Sequence, residues 1–255
     1  MPSISVEEES DFMITAFTKQ RFFIGLASVS IIAFLGTMMA PAQQLDTAEI
    51  IQLVDAAVKA RVESIVGYTV TEHYAVYRNN DEVHPAAEMM VKTTYRKNTG
   101  KDYTIVSQSG SALIRRFVLN AILDNEKSLN QPGVREGAWF TSANYEMKLK
   151  PGGNKLVDRR DCVVLALTPR RKTPYLIEGT LWADSRDGSI VQVQGTAAKS
   201  SSLLTGPTQV VRQYANIGGL SQATHVRAVS NSTMFGQTIV KIDYQGYQVQ
   251  LRPPA

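Results

Sequence analysis

The chain has a single cysteine, Cys162, among 255 residues. No intramolecular disulfide is open to it, and no second thiol stands at metal-ligand spacing. Histidine is nearly as scarce, with three residues, His73, His84 and His225, spread along the chain. There is no H-E-x-x-H, no G-x-S-x-G elbow and no glycine-rich phosphate loop. With no nucleophile paired to a base, the sequence reads as non-enzymatic, with no cofactor and no metal. Glycine (17) and proline (10) are at ordinary levels, so neither a fibrous repeat nor a disordered chain is indicated. Basic pairs and triplets occur at Arg115-Arg116, Arg159-Arg160 and Arg170-Arg171-Lys172, but aromatics are not interleaved with them as a nucleic-acid stacking platform requires.

What is present begins with an export signal over residues 1–42. Lys19 and Arg21 precede an apolar run from Phe22 to Met39, and Ala40-Pro41-Ala42 offers the small-x-small pattern of a cleavage site before Gln43. An acidic Glu7-Glu8-Glu9 cluster is unusual there, and Met13 is a second candidate start. The alternative is an uncleaved inner-membrane anchor over residues 22–39, since such a run approaches the ~20 residues that span a bilayer. Gln43, not a cysteine, stands directly after the cleavage site, so the mature chain is expected to carry no lipid anchor and to be periplasmic or secreted. Cleavage removes two basic and four acidic side chains, so 27 basic and 23 acidic residues become 25 and 19, a formal +6. That sign favours anionic membrane surfaces or acidic partners.

Residues 43–255 read as one domain, mainly β with two helices. Asp46-Thr47-Ala48-Glu49 is a capping box, and the helix behind it carries Ile50, Ile51, Val54, Ala57, Val58, Val62 and Ile65 as one apolar stripe, ending at Gly67. A strand from Tyr68 to Arg78 follows, then a hairpin, Ala87 to Lys97 and Lys101 to Ser109, around Asn98-Thr99-Gly100. A second helix, Ser111 to about Lys127, places Leu113, Ile114, Phe117, Val118, Ala121 and Ile122 on its apolar side. Tyr145, Met147 and Leu149 alternate with polar residues. Three strands come next, Asp161 to Thr168, Pro174 to Asp184 and Ser189 to Ala197, the last two joined through Asp187-Gly188, where glycine supplies a turn's positive φ. Their odd positions, Val163, Leu165, Leu167, Tyr175, Ile177, Leu181, Val191 and Val193, form the apolar face, with Cys162 and Trp182 on the even, wetter one. Strands near Thr208 to Ala215, Gln222 to Asn231 and Gln237 to Tyr247 complete a set of about ten. Strands ~4.8 Å apart then make a sheet ~48 Å wide, more than two helices ~10 Å across can cover. A curved antiparallel sheet, a half-open β-barrel covered by helices, is therefore expected, with a cavity wherever the helices do not fill it.

The stretch Leu167-Thr168-Pro169, then Gly179-Thr180-Leu181-Trp182-Ala183-Asp184, then Asp187-Gly188 and Ile190-Val191-Gln192-Val193-Gln194-Gly195 resembles the outer-membrane lipoprotein-sorting family, LolA/LolB-like and including RseB/MucB-type sensor domains. The resemblance implies a non-enzymatic periplasmic carrier or sensor that binds acyl chains of lipoproteins or other lipids, with inner- or outer-membrane proteins as partners. It also implies that the second helix is a lid that moves aside for acyl chains. Cavity and lid candidates are Leu113, Ile114, Phe117, Val118, Ile122, Tyr145, Met147, Leu149, Leu165, Ile177, Leu181 and Val193. The competing expectation is a structural or protein-interaction module on the same fold, its core filled by its own side chains.

Overall fold

A computed structural model describes residues 46–152, 155–200, 206–234 and 236–253. The leader, its cleavage site, the alternative anchor and the second candidate start lie outside these residues. No helix among the described residues is long and apolar enough to cross a membrane.

Helix α1 (Thr47–Ser64) begins as its capping pattern predicts, the Glu49 carboxylate accepting from the Asp46 amide at 3.0 Å. It stops earlier than Gly67. The Ile65 amide closes the last turn onto the Arg61 carbonyl, and the chain passes directly into β1 (Ile65–Arg78). Gly67 belongs to that strand, where a Cβ would lie 2.8 Å from the Tyr95 carbonyl. The remaining strands are β2 (Ala87–Arg96), β3 (Gly100–Gly110), β4 (Tyr145–Leu149), β5 (Lys155–Val157), β6 (Arg160–Pro169), β7 (Ile177–Asp184), β8 (Ile190–Ala197), β9 (Gln209–Ile217), β10 (Leu220–Ser232) and β11 (Gly236–Leu251). All eleven form one antiparallel sheet in the order β3-β2-β1-β11-β10-β9-β8-β7-β6-β4, with β5 paired to β6 off that path. The sheet is not closed, since β3 and β4 are its two ends. Mainly β with two helical segments and an open antiparallel sheet is the fold class expected; the strand not foreseen is the three-residue β5.

Three details of the central hairpins differ from simple alternation. Tyr175 is in a turn and exposed, and its neighbour Leu176 is buried instead, so β7 starts at Ile177. A bulge between Trp182 and Ala183 sets Ile190 opposite Ala183, and Ile190, rather than Val191, joins Val193 in the main core. The even side of β6 is also dry: Cys162 and Val164 are buried, the latter beside its cross-strand neighbour Trp182.

The second helical segment is not a plain α-helix. It runs as α2 (Ala112–Ile114), a π-helical turn over Arg115–Leu119, and α3 (Asn120–Leu129). A π turn carries one residue more than an α turn, which rotates everything after it by about a residue's worth of helix. The inward side chains are therefore Ile114, Leu119 and Leu123, with Val118 and Ile122 packed beside them, while Leu113 and Phe117 stay exposed.

Two separate cores result. One joins α1, through Ile50 and Val54, to β4, β6, β7 and β8; the other joins the second helical segment to β1, β2, β10 and β11. A single register row crosses the sheet through both: Leu149, Leu165, Leu181, Val193, Arg212, Val226, Ile242, Tyr74 and Met89, each paired to the next across adjacent strands. The row ends on the β3 edge at Gln108, opposite Met89; between its two edge strands every member except Arg212, on β9, is apolar or aromatic.

Candidate functional site

A cavity of about 440 Å³ lies between the two helices and the sheet. Its volume is within the ~300–1,000 Å³ of small-molecule pockets. The α1 stripe explains half of it. Ile50 and Val54 at the start of the stripe pack on the first core, Ala57 and Val62 towards its end face the cavity, and Val58 touches both. Leu129 of α3, then Ala138, Trp139 and Phe140, supply the facing apolar wall.

The floor is aromatic. Tyr68 and Tyr95 are cross-strand partners on β1 and β2, stacked at 4.9 Å; Tyr247 of β11 tilts against Tyr68 at 5.7 Å and stacks on Tyr244 at 6.4 Å. Tyr214 of β9 continues the lining. Burial raises the Tyr68, Tyr244 and Tyr247 phenols, so they are neutral hydrogen-bond donors at any ordinary pH.

Charge is buried beneath this wall. Lys101 of β3 bonds the Glu72 carboxylate of β1 at 3.1 Å and also the Glu126 carboxylate of α3, while Tyr74 donates to Glu72. Desolvation pulls the Lys101 ammonium down, but Glu126, Tyr68 and Glu72 outweigh it and its pKa stands well above the usual lysine value. Through that ammonium, and through Tyr103 to Asp124 at 2.9 Å and Lys127 to Asp102 at 3.0 Å, α3 is pinned to β3. Arg61 of α1 donates to the Ser221 carbonyl at 2.8 Å and to Gln222 Oε1 at 3.0 Å. Arg135 reaches the Tyr95 hydroxyl at 2.8 Å and pairs with Glu136 at 3.2 Å. Arg212 lines the cavity from the middle of the apolar row. Desolvation lowers its pKa, but Tyr214, to which its side chain is hydrogen-bonded, and Tyr244 and Glu126 raise it further and keep it charged.

The residues proposed from sequence fall elsewhere. Tyr145, Met147, Leu165, Ile177, Leu181 and Val193 are brought together in the first core, with Leu149 against it. The Tyr145 hydroxyl accepts from the Ile177 amide at 3.0 Å, and burial pushes its pKa up to about 12. Ile114, Val118 and Ile122 belong to the second core, and Leu113 and Phe117 face solvent, the latter under the Arg116 guanidinium. None of the twelve lines the cavity. The cavity residues left a weak trace: Arg212 shares its strand face with Val210 and Tyr214, a lone cation in an inward phase. Cys162 is buried, its thiol raised first by that burial. Each histidine bonds a carboxylate outside the cavity: His73 to Glu88, His84 to Asp81 and His225 to Asp243.

Fold and cavity together define a helix-covered, open antiparallel sheet with an internal ligand-sized space. No protein-family model matches the chain, and no curated protein is significantly similar to it. Solved structures are. A DUF1329 family protein from Desulfovibrio piger is 13% identical with a TM-score of 0.43, the match covering 79% of this chain and 93% of that one. A LolA superfamily protein from Nitrosomonas europaea is 13% identical with a TM-score of 0.38, over 82% and 96%. An outer membrane lipoprotein-sorting protein domain from Vibrio parahaemolyticus is 12% identical with a TM-score of 0.44, over 78% and 92%. Two of these carry the name of the family that the stretch from Leu167 to Gly195 resembles.

Proposed function

We propose that the protein is an exported, non-enzymatic carrier that holds an acyl chain, of a lipoprotein or another lipid, in the cavity between its helices and its sheet. The observation that carries this reading is the second half of the α1 stripe. Ala57 and Val62, with Val58 shared between the first core and the cavity, face unfilled space of about 440 Å³ where an amphipathic helix ordinarily rests on side chains. The sequence resemblance supports the same reading. Glu126 and Leu129 make α3 one wall of that space, and a π turn at its root is a common mark of a functional helix.

A protein-interaction role is the second reading. Ile105 and Val106 on the end strand β3, with Leu113 and Phe117, are large apolar side chains left exposed. Organic extraction of protein purified from its native host, followed by mass spectrometry, decides between the two. The carrier reading expects lipid at close to one molecule per chain and displacement of a fluorescent fatty-acid probe by added lipid. Protein free of lipid that also binds no probe rules the carrier out and leaves the interaction role.

A further inference from the structure

Arg212 occupies a place on the sheet where eight apolar or aromatic neighbours in the same register row predict a leucine or valine. The guanidinium is half-buried there, and its lost hydration is a cost unless something answers its charge. Within the protein the answer is incomplete. Its Nε is shielded from solvent and has no hydrogen-bond partner. Its side-chain bond is to the Tyr214 phenol, and no carboxylate of the described residues pairs with it. The charges around the cavity are also uneven. Arg135 is matched by Glu136, and Asp187 sits exposed at the rim. At the centre, three cations, Arg61, Lys101 and Arg212, face two carboxylates, Glu72 and Glu126, both held by Lys101. Arg61 spends its donors on neutral acceptors. One positive charge is left over, in a site with apolar walls on either side.

We propose that Arg212 is a head-group site and that the ligand carried is an acidic amphiphile, its carboxylate or phosphate set on the Arg212 guanidinium and its tail along the α1 and Trp139–Phe140 walls. The inference rests on the lipid-carrier reading and narrows it. A planar guanidinium presents a fork of donors that matches either anion, and the Tyr214 and Tyr244 hydroxyls line the same space. Neutral lipids would leave the surplus charge unanswered.

The experiment compares laurate with 1-dodecanol, which share a tail and differ in the head, by calorimetric titration. Wild type binds laurate at least about tenfold more tightly, the scale of one hydrogen bond to a charged group. Arg212→Leu, which completes the apolar row, still binds dodecanol and loses the preference; Arg212→Lys keeps part of it. Should Arg212→Leu fail to fold, Arg212→Gln tests the same loss of charge. Acetate and inorganic phosphate alone bind far more weakly than laurate. Equal binding of laurate and dodecanol by wild type, or a preference that survives in the Leu and Gln variants, overturns the head-group site while leaving the carrier standing, and Arg212 is then only the counter-charge to Glu72 and Glu126. Acetate or phosphate binding as tightly as laurate also overturns it, in favour of a free-anion site. Wild type that binds neither laurate nor dodecanol removes the carrier reading itself.

Discussion

Asp184 shows how a charge that looks superficial in sequence becomes structural. It is almost fully buried at the end of β7, and it accepts from Arg160 Nε at 2.9 Å and from the Arg186 amide at 3.0 Å and guanidinium at 3.1 Å. Burial pushes its carboxyl up, but the hydrogen bonds from Arg186 and Arg160 prevail and hold it at about 2, against an ordinary 3.8. A carboxyl depressed in the folded state contributes stability above its unfolded value, and that contribution disappears as pH falls through the folded one. Denaturation midpoints measured against pH should therefore fall between about pH 4 and pH 2. In Asp184→Asn the midpoint is lower at neutral pH and the acid limb is shallower; an unchanged limb would show that Asp184 does not control it. Three arginines of the basic clusters also have partners distant in sequence. Arg160 serves Asp184, Arg170 the Ser142 carbonyl, and Arg171 the Asn144 side chain and Gly137 carbonyl. Sequence displays such charges but hides partners that are twenty or thirty positions away.

At the scale of elements, the Asp187-Gly188 turn does more than reverse the chain. Gly188 has φ +70°, and a Cβ on it would lie 2.3 Å from the Leu53 carbonyl carbon and 2.6 Å from the Val54 amide, so this turn is where α1 rests on the sheet, backbone against backbone. Gly219, at φ +81° in the β9–β10 turn, has nothing within 4 Å of that position. Gly219→Ala should cost only the left-handed penalty, about 1–2 kcal/mol. Gly188→Ala adds a clash with helix backbone, and chemical denaturation should report at least about 3 kcal/mol. Equal costs would mean that α1 yields freely. The positive φ of this glycine was legible in sequence; its contact with α1 was not, because nothing local encodes which element docks on a turn. Strands were legible wherever alternation ran unbroken, as in Tyr145–Leu149 and most of β6 to β8. The phase failed where one residue is inserted: at the bulge that brings in Ile190, and at the π turn that exchanges Phe117 for Leu119. A fixed period cannot register an insertion that hydrogen bonding and packing decide. The cavity was expected as a remainder, but its lining was not, since Arg61, Lys101, Tyr95 and Arg212 meet only when α1, β2, β3 and β9 are assembled.

The whole molecule is joined along a seam between β1 and β11, where Ile65 pairs with Leu251 and Arg78 with Thr238. That seam is internal to the sheet, with β2 and β3 on one side and seven paired strands on the other. Neither side can meet the other until β11 is present, and until then β1 offers a bare edge. Pairing of such long reach makes folding slow, in the range of milliseconds to seconds for small domains rich in non-local contacts. Stopped-flow refolding should show no native signal on the microsecond scale, and a chain ending before Gly236 should lack the near-ultraviolet dichroism of the full protein. The same order has a consequence during synthesis: β11 comes after every other strand of the sheet, so for as long as Gly236–Leu251 has not emerged the polypeptide cannot lock itself shut.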